Sequence, residues 1–183
     1  MIVSTAKALA GVRIAFGLYY LSYMYDKISK GWLTDGAPLA TMLFGNPAAQ
    51  PPTRGAIATA DPFYRAFLET VVQPNPLLFS QLVTIGEGVA AILLILGLLT
   101  RLGAGIGIWL NLNYMLMKGL ASNGGSVDRL FVVCLLMAVL ASAGLAWGLD
   151  GTLRQQLAGN PVTRWLAGLD GPAPEEQPRH VPA

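Results

Sequence analysis

Residues 77–99 read LLFSQLVTIGEGVAAILLILGLL, an apolar run that a single charged residue interrupts, at Glu87. A helix needs about 20 mostly apolar residues to cross roughly 30 Å of hydrocarbon. Asn75 and Pro76 come just before the run, and these residue types are favoured at the N-cap and the first position of a helix. The run therefore predicts a membrane-spanning helix that begins at about Leu77.

Three further runs have the length and composition of membrane-spanning helices. They cover residues 8–25, where Arg13 is the charge, residues 102–120, which include Lys118, and residues 130–149, which carry no charge. The first run is not a secretory signal peptide, because it ends in Tyr-Met-Tyr-Asp-Lys rather than in small residues. The sequence thus predicts an all-α fold, an integral membrane four-helix bundle with a long loop between the first two helices.

The composition agrees with this prediction. Only 12% of the 183 residues are charged, against about 25% in soluble domains, and 54% are hydrophobic. This excludes a disordered chain and a soluble nucleic-acid-binding protein, so we expect no nucleic acid as a partner. The single cysteine, Cys134, excludes an intrachain disulfide, and the chain has only one histidine. We therefore expect neither a metal site nor a haem.

The chain divides into a transmembrane domain, residues 1–150, and a polar tail, residues 151–183, which is predicted to be partly disordered. Residues 26–76 form the extramembrane loop of the domain. A short helix is predicted from Pro62 to about Val72, and it lies on the bilayer, caps the bundle or packs on its own protein as part of the loop. Basic residues divide almost evenly between the two sides. We expect cytoplasmic termini, in the plasma membrane of a prokaryote.

Polar side chains at membrane depth are the candidate site residues. A charge near the bilayer centre costs about 2.5–3.5 kcal/mol on insertion scales, so it should pair or face a cavity. Arg13 and Glu87 are predicted to meet across the first two helices, and Tyr20 and Asn111 to line the same interior. Either Arg13 and Glu87 form a structural ion pair, or they border a ligand cavity. In such a cavity Glu87 handles a proton, and the cations hold an anion or a quinone carbonyl.

Two other groups of residues also have a structural and a functional interpretation. The cations on the loop side either reach the headgroups or guide a substrate anion; they are Lys27, Lys118 and Arg129. The tyrosines of the first helix form either an aromatic belt or a platform for a quinone ring; they are Tyr19, Tyr20, Tyr23 and Tyr25.

Several short motifs, taken in order, resemble the DoxX/DoxD family. They are residues 12–18 (VRIAFGL), 26–28 (DKI), 86–87 (GE), 96–101 (LGLLTR) and 143–150 (AGLAWGLD). Residues 62–68 (PFYRAFL) look more like the DoxD branch, and the resemblance covers about residues 8–150. It implies the large membrane subunit of an archaeal thiosulfate:quinone oxidoreductase. Other DoxX-like proteins are accessory subunits of membrane redox complexes or have no assigned activity, so the resemblance alone does not establish the activity.

Two functional hypotheses follow. In the first, the chain is the membrane subunit of a quinone-linked oxidoreductase that oxidises thiosulfate or a related sulfur anion, with quinone as the acceptor and partner subunits beside it. Glu87 and Arg13 are then catalytic. The residues that bind quinone or substrate are then Tyr20, Asn111, Lys27, Lys118 and Arg129. In the second, the chain is a non-catalytic accessory subunit of a larger redox or photosynthetic complex. The lack of a cofactor ligand set favours the second hypothesis, and the polar residues at membrane depth favour the first.

Overall fold

The computed structural model describes residues 4–170, and all regular secondary structure within them is helical. The prediction of an all-α fold is therefore confirmed. The helices are α1 Thr5–Ser29, α2 Ala37–Phe44, α3 Pro62–Phe67, α4 Pro76–Leu96, α5 Thr100–Lys118, α6 Ser126–Leu140, α7 Leu149–Thr152, α8 Arg154–Leu157 and α9 Pro161–Leu166.

Four of these helices are long, and they pack side by side in chain order. Helix α1 packs antiparallel on α4, α4 on α5 and α5 on α6, and α6 also touches α1. Two segments, Pro76–Leu96 and Asn123–Leu140, are long and apolar enough to cross a membrane. Helices α1 and α5 also have the length to cross, with 25 and 19 residues, but carry more polar and charged side chains.

Small residues let α4 approach both of its neighbours closely. A Cβ at Gly17 of α1 would lie 2.9 Å from the backbone nitrogen of Ile95, and a Cβ at Gly103 of α5 would lie 2.8 Å from Leu93 Cβ. Such contacts matter in lipid, where helices gain no hydrophobic drive to associate. The core between the helices consists of Tyr20, Ala90, Ala91, Leu94, Ala104, Phe131 and Leu135.

The fourth long helix ends earlier than predicted. Helix α6 stops at Leu140, whereas the apolar composition predicted a helix as far as residue 149. Beyond it the backbone takes positive φ at Ser142 and at Trp147, and Gly144 fits closely against Thr100. The chain turns here because residue 150 must reach the start of α5, a long-range contact that hydropathy does not encode.

The loop side contains more structure than the sequence predicted. Helix α2 lies within the stretch that composition indicated to be an irregular loop. It begins with Ala37-Pro38, and it buries Leu39 and Leu43, which lie one turn apart. The helix predicted to begin at Pro62 is present, and α3 continues into a π-helical turn, Leu68–Val72.

These loop-side segments pack on their own protein. Their buried side chains form a second apolar core over the ends of α4 and α5. Its members are Trp32, Leu39, Leu43, Ala60, Leu68, Val72 and Met117. These contacts fit the alternative in which the segment after Pro62 caps the bundle.

The first part of the predicted tail folds back onto the helices. Arg101 Nη1 donates a hydrogen bond of 2.9 Å to the carbonyl of Trp165, and Leu169 is buried. Helix α9 lies within this returning segment. The partial disorder predicted for the tail is not tested at residues 171–183, which lie outside the described residues.

Candidate functional site

The buried face of α1 carries a polar side chain at every seventh residue. These are Arg13, Tyr20 and Lys27, and all three are buried. Seven residues are close to two helical turns, so the side chains share one face at intervals of about 10 Å. They therefore define three polar layers along the helices rather than one.

The layer nearest the long loop is an ion pair. Lys27 Nζ lies 2.7 Å from both Glu87 Oε1 and Glu87 Oε2. Tyr114 Oη donates a further hydrogen bond of 2.7 Å to Glu87 Oε1. Glu87 is 1% exposed and Lys27 is 8% exposed. We call Lys27, Glu87 and Tyr114 the Glu87 cluster; in it a buried carboxylate accepts three hydrogen bonds, two from its counter-charge Lys27 and one from Tyr114.

Aromatic rings enclose the ammonium of this cluster. Lys27 Nζ lies 5.3 Å from the ring centres of both Tyr23 and Trp32, and 6.0 Å from that of Tyr114. Trp32 is fixed in turn, because its carbonyl accepts a hydrogen bond of 2.6 Å from Ser80 Oγ. The ring faces attract the cation and also exclude water from it.

The middle layer joins α1 to α5. Tyr20 Oη donates a hydrogen bond of 3.1 Å to the carbonyl of Gly107, and Asn111 Nδ2 donates one of 2.8 Å to the same carbonyl. Asn111 Nδ2 is also hydrogen-bonded to Tyr20 Oη. Gly107 is required here, since a Cβ would lie 2.7 Å from Tyr20 Oη.

The third layer lies at the opposite end of the helices. Arg13 Nη1 donates a hydrogen bond of 2.8 Å to the carbonyl of Leu94, and Nη2 donates one of 3.0 Å to that of Trp147. Gly97 passes beside the guanidinium with φ of 61°, and a Cβ there would lie 2.0 Å from Nη1.

Asp150 completes this layer by capping α5. Its Oδ1 accepts a hydrogen bond of 2.7 Å from the Leu99 amide, and its Oδ2 accepts one of 2.9 Å from the Thr100 amide. Burial raises the pKa of the Asp150 carboxyl above its usual value, and the two amides and Arg13 oppose that shift. Motifs 96–101 and 143–150 therefore meet each other and Arg13 at one place.

The predicted pairing of Arg13 with Glu87 is wrong, although both side chains are buried as predicted. Met24 packs against Gly88, and Gly17 packs against Ile95. This antiparallel register places Arg13 level with the residues just after α4, about 18 Å along the axis from Glu87. Glu87 is instead within reach of Lys27.

The four residues predicted to border one cavity are divided among the three layers. Of Arg13, Tyr20, Glu87 and Asn111, hydrogen bonds join only Tyr20 to Asn111. An open groove of about 550 Å³ does lie near the Arg13 layer, but none of the four lines it; its walls include Ile95, Leu96, Leu145, Trp147 and Leu149.

The two remaining loop-side cations brace the connection between α5 and α6. Lys118 Nζ lies 2.7 Å from Asp128 Oδ2. Arg129 Nη1 donates a hydrogen bond of 2.7 Å to the carbonyl of Leu120, and Nη2 donates one of 3.1 Å to that of Ser122. The substrate-binding roles predicted for Lys27, Lys118 and Arg129, and the catalytic roles predicted for Glu87 and Arg13, stay predictions.

Sequence reasoning did not select Tyr114, Trp32 or Asp150 as site residues. Tyr114 lies one turn after Asn111 on the same face of α5, so helical spacing could have found it. Asp150 ends the motif 143–150, but no local pattern links it to α5. Among residues 4–170, no group of three or more His, Cys, Asp or Glu side chains is placed to hold a metal ion.

A protein-family model described as "TQO small subunit DoxD", where TQO is thiosulfate:quinone oxidoreductase, matches residues 54–169, which is more than half of the chain. The description names a small subunit, so the expectation of a large subunit is wrong. The match includes Glu87, Asn111 and Asp150 and begins after α1. Comparisons with curated proteins and with solved structures found no match.

Proposed function

The chain belongs to the DoxD family, and we propose that it is a multi-pass membrane subunit of a quinone-linked oxidoreductase that takes electrons from thiosulfate or a related sulfur anion. The family description carries the link to thiosulfate and quinone. The two apolar helical segments, Pro76–Leu96 and Asn123–Leu140, support its place in a membrane.

We place all four long helices across the bilayer. Helices α1 and α5 have the required length, and several of their most polar side chains point away from lipid. Arg13, Tyr20 and Lys27 of α1 and Asn111 of α5 are all buried against other helices. A transmembrane helix whose polar residues face its neighbours has a lower mean hydropathy than one that is apolar throughout, yet it remains compatible with lipid.

The Glu87 cluster is the observation that carries the enzymatic proposal. Reduction of a quinone to a quinol consumes protons as well as electrons, and a carboxylate can take up a proton and deliver it. Glu87 is the carboxylate buried between α1, α4 and α5 on the loop side, and it is hydrogen-bonded to two groups that also exchange protons, Lys27 and Tyr114. Quinone, when bound, would accept the electrons.

Partner subunits supply the sulfur chemistry in this proposal. The loop side is where we place the approach of the sulfur anion, because Lys118 and Arg129 lie there. The Lys118 side chain keeps 37% of its surface exposed beside Asp128. A partly exposed cation attracts an anion over a distance set by the ionic strength. Lys118 would therefore raise the rate at which the anion reaches the protein, without taking part in the reaction itself.

A second candidate function is that of a non-catalytic accessory subunit of a larger redox or photosynthetic complex. The observation that favours it is that most polar groups of the interior bond to one another; Arg13 Nε and Thr100 Oγ1 are the buried exceptions among the described residues. Glu87 is neutralised by Lys27, Tyr20 is bonded to Asn111, and Arg13 binds two carbonyls. These contacts stabilise the helices whether or not a ligand binds.

Thiosulfate-dependent quinone reduction in proteoliposomes tests the two candidates against each other. The chain is reconstituted alone and with the subunits that co-purify with it, as wild type, as Glu87→Gln and as the control Glu69→Gln. We expect activity only with partners, lost in Glu87→Gln and retained in Glu69→Gln, which makes the same change at an exposed carboxylate. If the wild type and Glu87→Gln are equally inactive in every combination while the chain still co-purifies with a complex, the accessory function replaces the enzymatic one.

A further inference from the structure

Two tyrosine hydroxyls are paired on the outer flank of α1. Tyr19 Oη and Tyr23 Oη lie 2.6 Å apart, and the two residues are 38% and 43% exposed. Residues 4–170 offer these hydroxyls no other hydrogen-bond partner. Each phenol has one O–H donor, and the bond between the two uses one of them. One O–H donor of the pair is therefore left without an acceptor among the described residues.

Aromatic rings pack behind this hydroxyl pair. The Tyr19 ring centre lies 4.5 Å from that of Tyr23 and 4.6 Å from that of Phe131, and the Phe131 ring centre lies 4.4 Å from that of Phe16. Phe131 of α6 is buried, so it supports the two tyrosine rings, which stay partly exposed at the seam between α1 and α6. Exposed aromatic faces stack on a flat conjugated ring and discriminate it from a lipid chain.

The hydroxyl pair lies next to the Glu87 cluster. The Tyr23 ring forms one wall around Lys27, with its centre 5.3 Å from Nζ, and Lys27 binds Glu87 directly. Tyr19, Tyr23 and Lys27 follow one another at intervals of one helical turn. A ligand at the hydroxyl pair would thus be one side chain away from the buried carboxylate.

We propose that the Tyr19–Tyr23 hydroxyl pair and the exposed rings of these two tyrosines form a docking site for a quinone that arrives sideways from the bilayer. The spare O–H donates a hydrogen bond to one quinone carbonyl, and the quinone ring stacks on the exposed tyrosine rings beside the α1–α6 seam. The site differs from the predicted interior cavity, whose four residues do not surround a common space. The inference rests on the proposed function, which places α1 in the membrane.

Quinone binding without turnover tests this proposal. The full chain is placed in nanodiscs of ether-linked phospholipid, which contains no carbonyl, and titrated with decylubiquinone while quenching of tryptophan fluorescence is followed. We expect the double variant Tyr19→Phe/Tyr23→Phe to bind roughly three- to ten-fold more weakly than wild type, because one hydrogen bond is lost. The control Tyr25→Phe alters an exposed tyrosine on another face of α1 and should bind as wild type does.

Equal affinity of the double variant and Tyr25→Phe, with unfolding temperatures equal to that of wild type, overturns the proposal. Should the double variant unfold earlier, the titration is repeated at a temperature at which circular dichroism shows the double variant to be folded. The titration is repeated in ester-linked lipid to distinguish a quinone carbonyl from a lipid ester carbonyl. If wild type then binds quinone no more tightly than the double variant, a lipid ester occupies the hydroxyl pair and the assignment to quinone is overturned. Since no sulfur donor or partner is present, this result is independent of whether the complex oxidises thiosulfate.

Discussion

The Lys27–Glu87 pair stabilises the interior only while both charges are present. A buried ion pair stabilises little relative to apolar side chains, but removal of one partner leaves the other charge uncompensated. Lys27→Met should therefore lower stability by about 3–5 kcal/mol, because Glu87 keeps only the hydrogen bond from Tyr114. The measurement is the midpoint of unfolding in detergent, followed by tryptophan fluorescence.

Lys30→Met is the matched control on the same helix. Lys30 pairs with Asp26 at 2.7 Å, but the two side chains are 61% and 56% exposed, so its loss should cost about 0–1 kcal/mol. The double variant Lys27→Met/Glu87→Leu should recover much of the loss caused by Lys27→Met alone. Equal destabilisation by Lys27→Met and Lys30→Met would show that the pair is not buried as described.

The burial of these charges was predictable from the sequence, but their partners were not. Isolated charges in an apolar run must turn inward, which correctly placed Arg13 and Glu87. The partner depends on how far one helix slides along another, and that is fixed by contacts such as Met24 against Gly88. Arg13 and Lys27 are fourteen residues apart, so a slide of about four turns exchanges one for the other opposite Glu87, and composition cannot distinguish the two registers.

At the scale of single elements, α5 depends on glycine where it meets α1. Gly107→Ala would place a Cβ 2.7 Å from Tyr20 Oη and 2.8 Å from Leu135 Cδ1, so it should destabilise the protein by about 1–3 kcal/mol. Gly105→Ala, two residues away on the same helix, meets nothing within 4 Å and should be neutral or stabilising. Unfolding midpoints of the two variants check this, and similar values would contradict the close approach of α1 and α5.

The start of α5 depends on a carboxylate from another element. Asp150→Ala removes the acceptor of the Leu99 and Thr100 amides and should cost about 1–3 kcal/mol. Hydrogen exchange over the first turn of α5 should accelerate in Asp150→Ala and not in the control Asp26→Ala, whose side chain is exposed. Unchanged exchange in Asp150→Ala would mean that the cap does not hold the helix.

Helix locations were easier to predict than helix ends. The second run of the sequence became α4, and its end moved only from residue 99 to Leu96, where Gly97 adopts the left-handed conformation typical of a C-cap. The end of the fourth run differs more from the prediction, residue 149 against Leu140, because its last residues are apolar yet form a turn around Thr100 and Asp150. Helix α2 was missed because a Pro/Gly/Ala-rich context concealed two leucines at helical spacing.

At the scale of the whole molecule, the proposed four crossings predict on which side of the membrane each connecting segment lies. Single cysteines at Ser4, Ala48 and Gln155, in a Cys134→Ala background, report the N-terminus, the long loop and the tail. We expect Ala48→Cys to react with an impermeant maleimide on the outside of intact cells, and Ser4→Cys and Gln155→Cys only after lysis. If only α4 and α6 crossed, Ala48→Cys and Gln155→Cys would react from the same side.

The redox state of bound quinone tests the central claim most directly. The chain is extracted from membranes together with its partners, and the quinone that co-purifies is analysed before and after anaerobic addition of thiosulfate. A membrane subunit of a sulfur-oxidising, quinone-linked complex predicts conversion of the bound quinone to the quinol in wild type, and a loss of that conversion in Glu87→Gln. Quinone that stays oxidised in the intact wild-type complex would contradict the account.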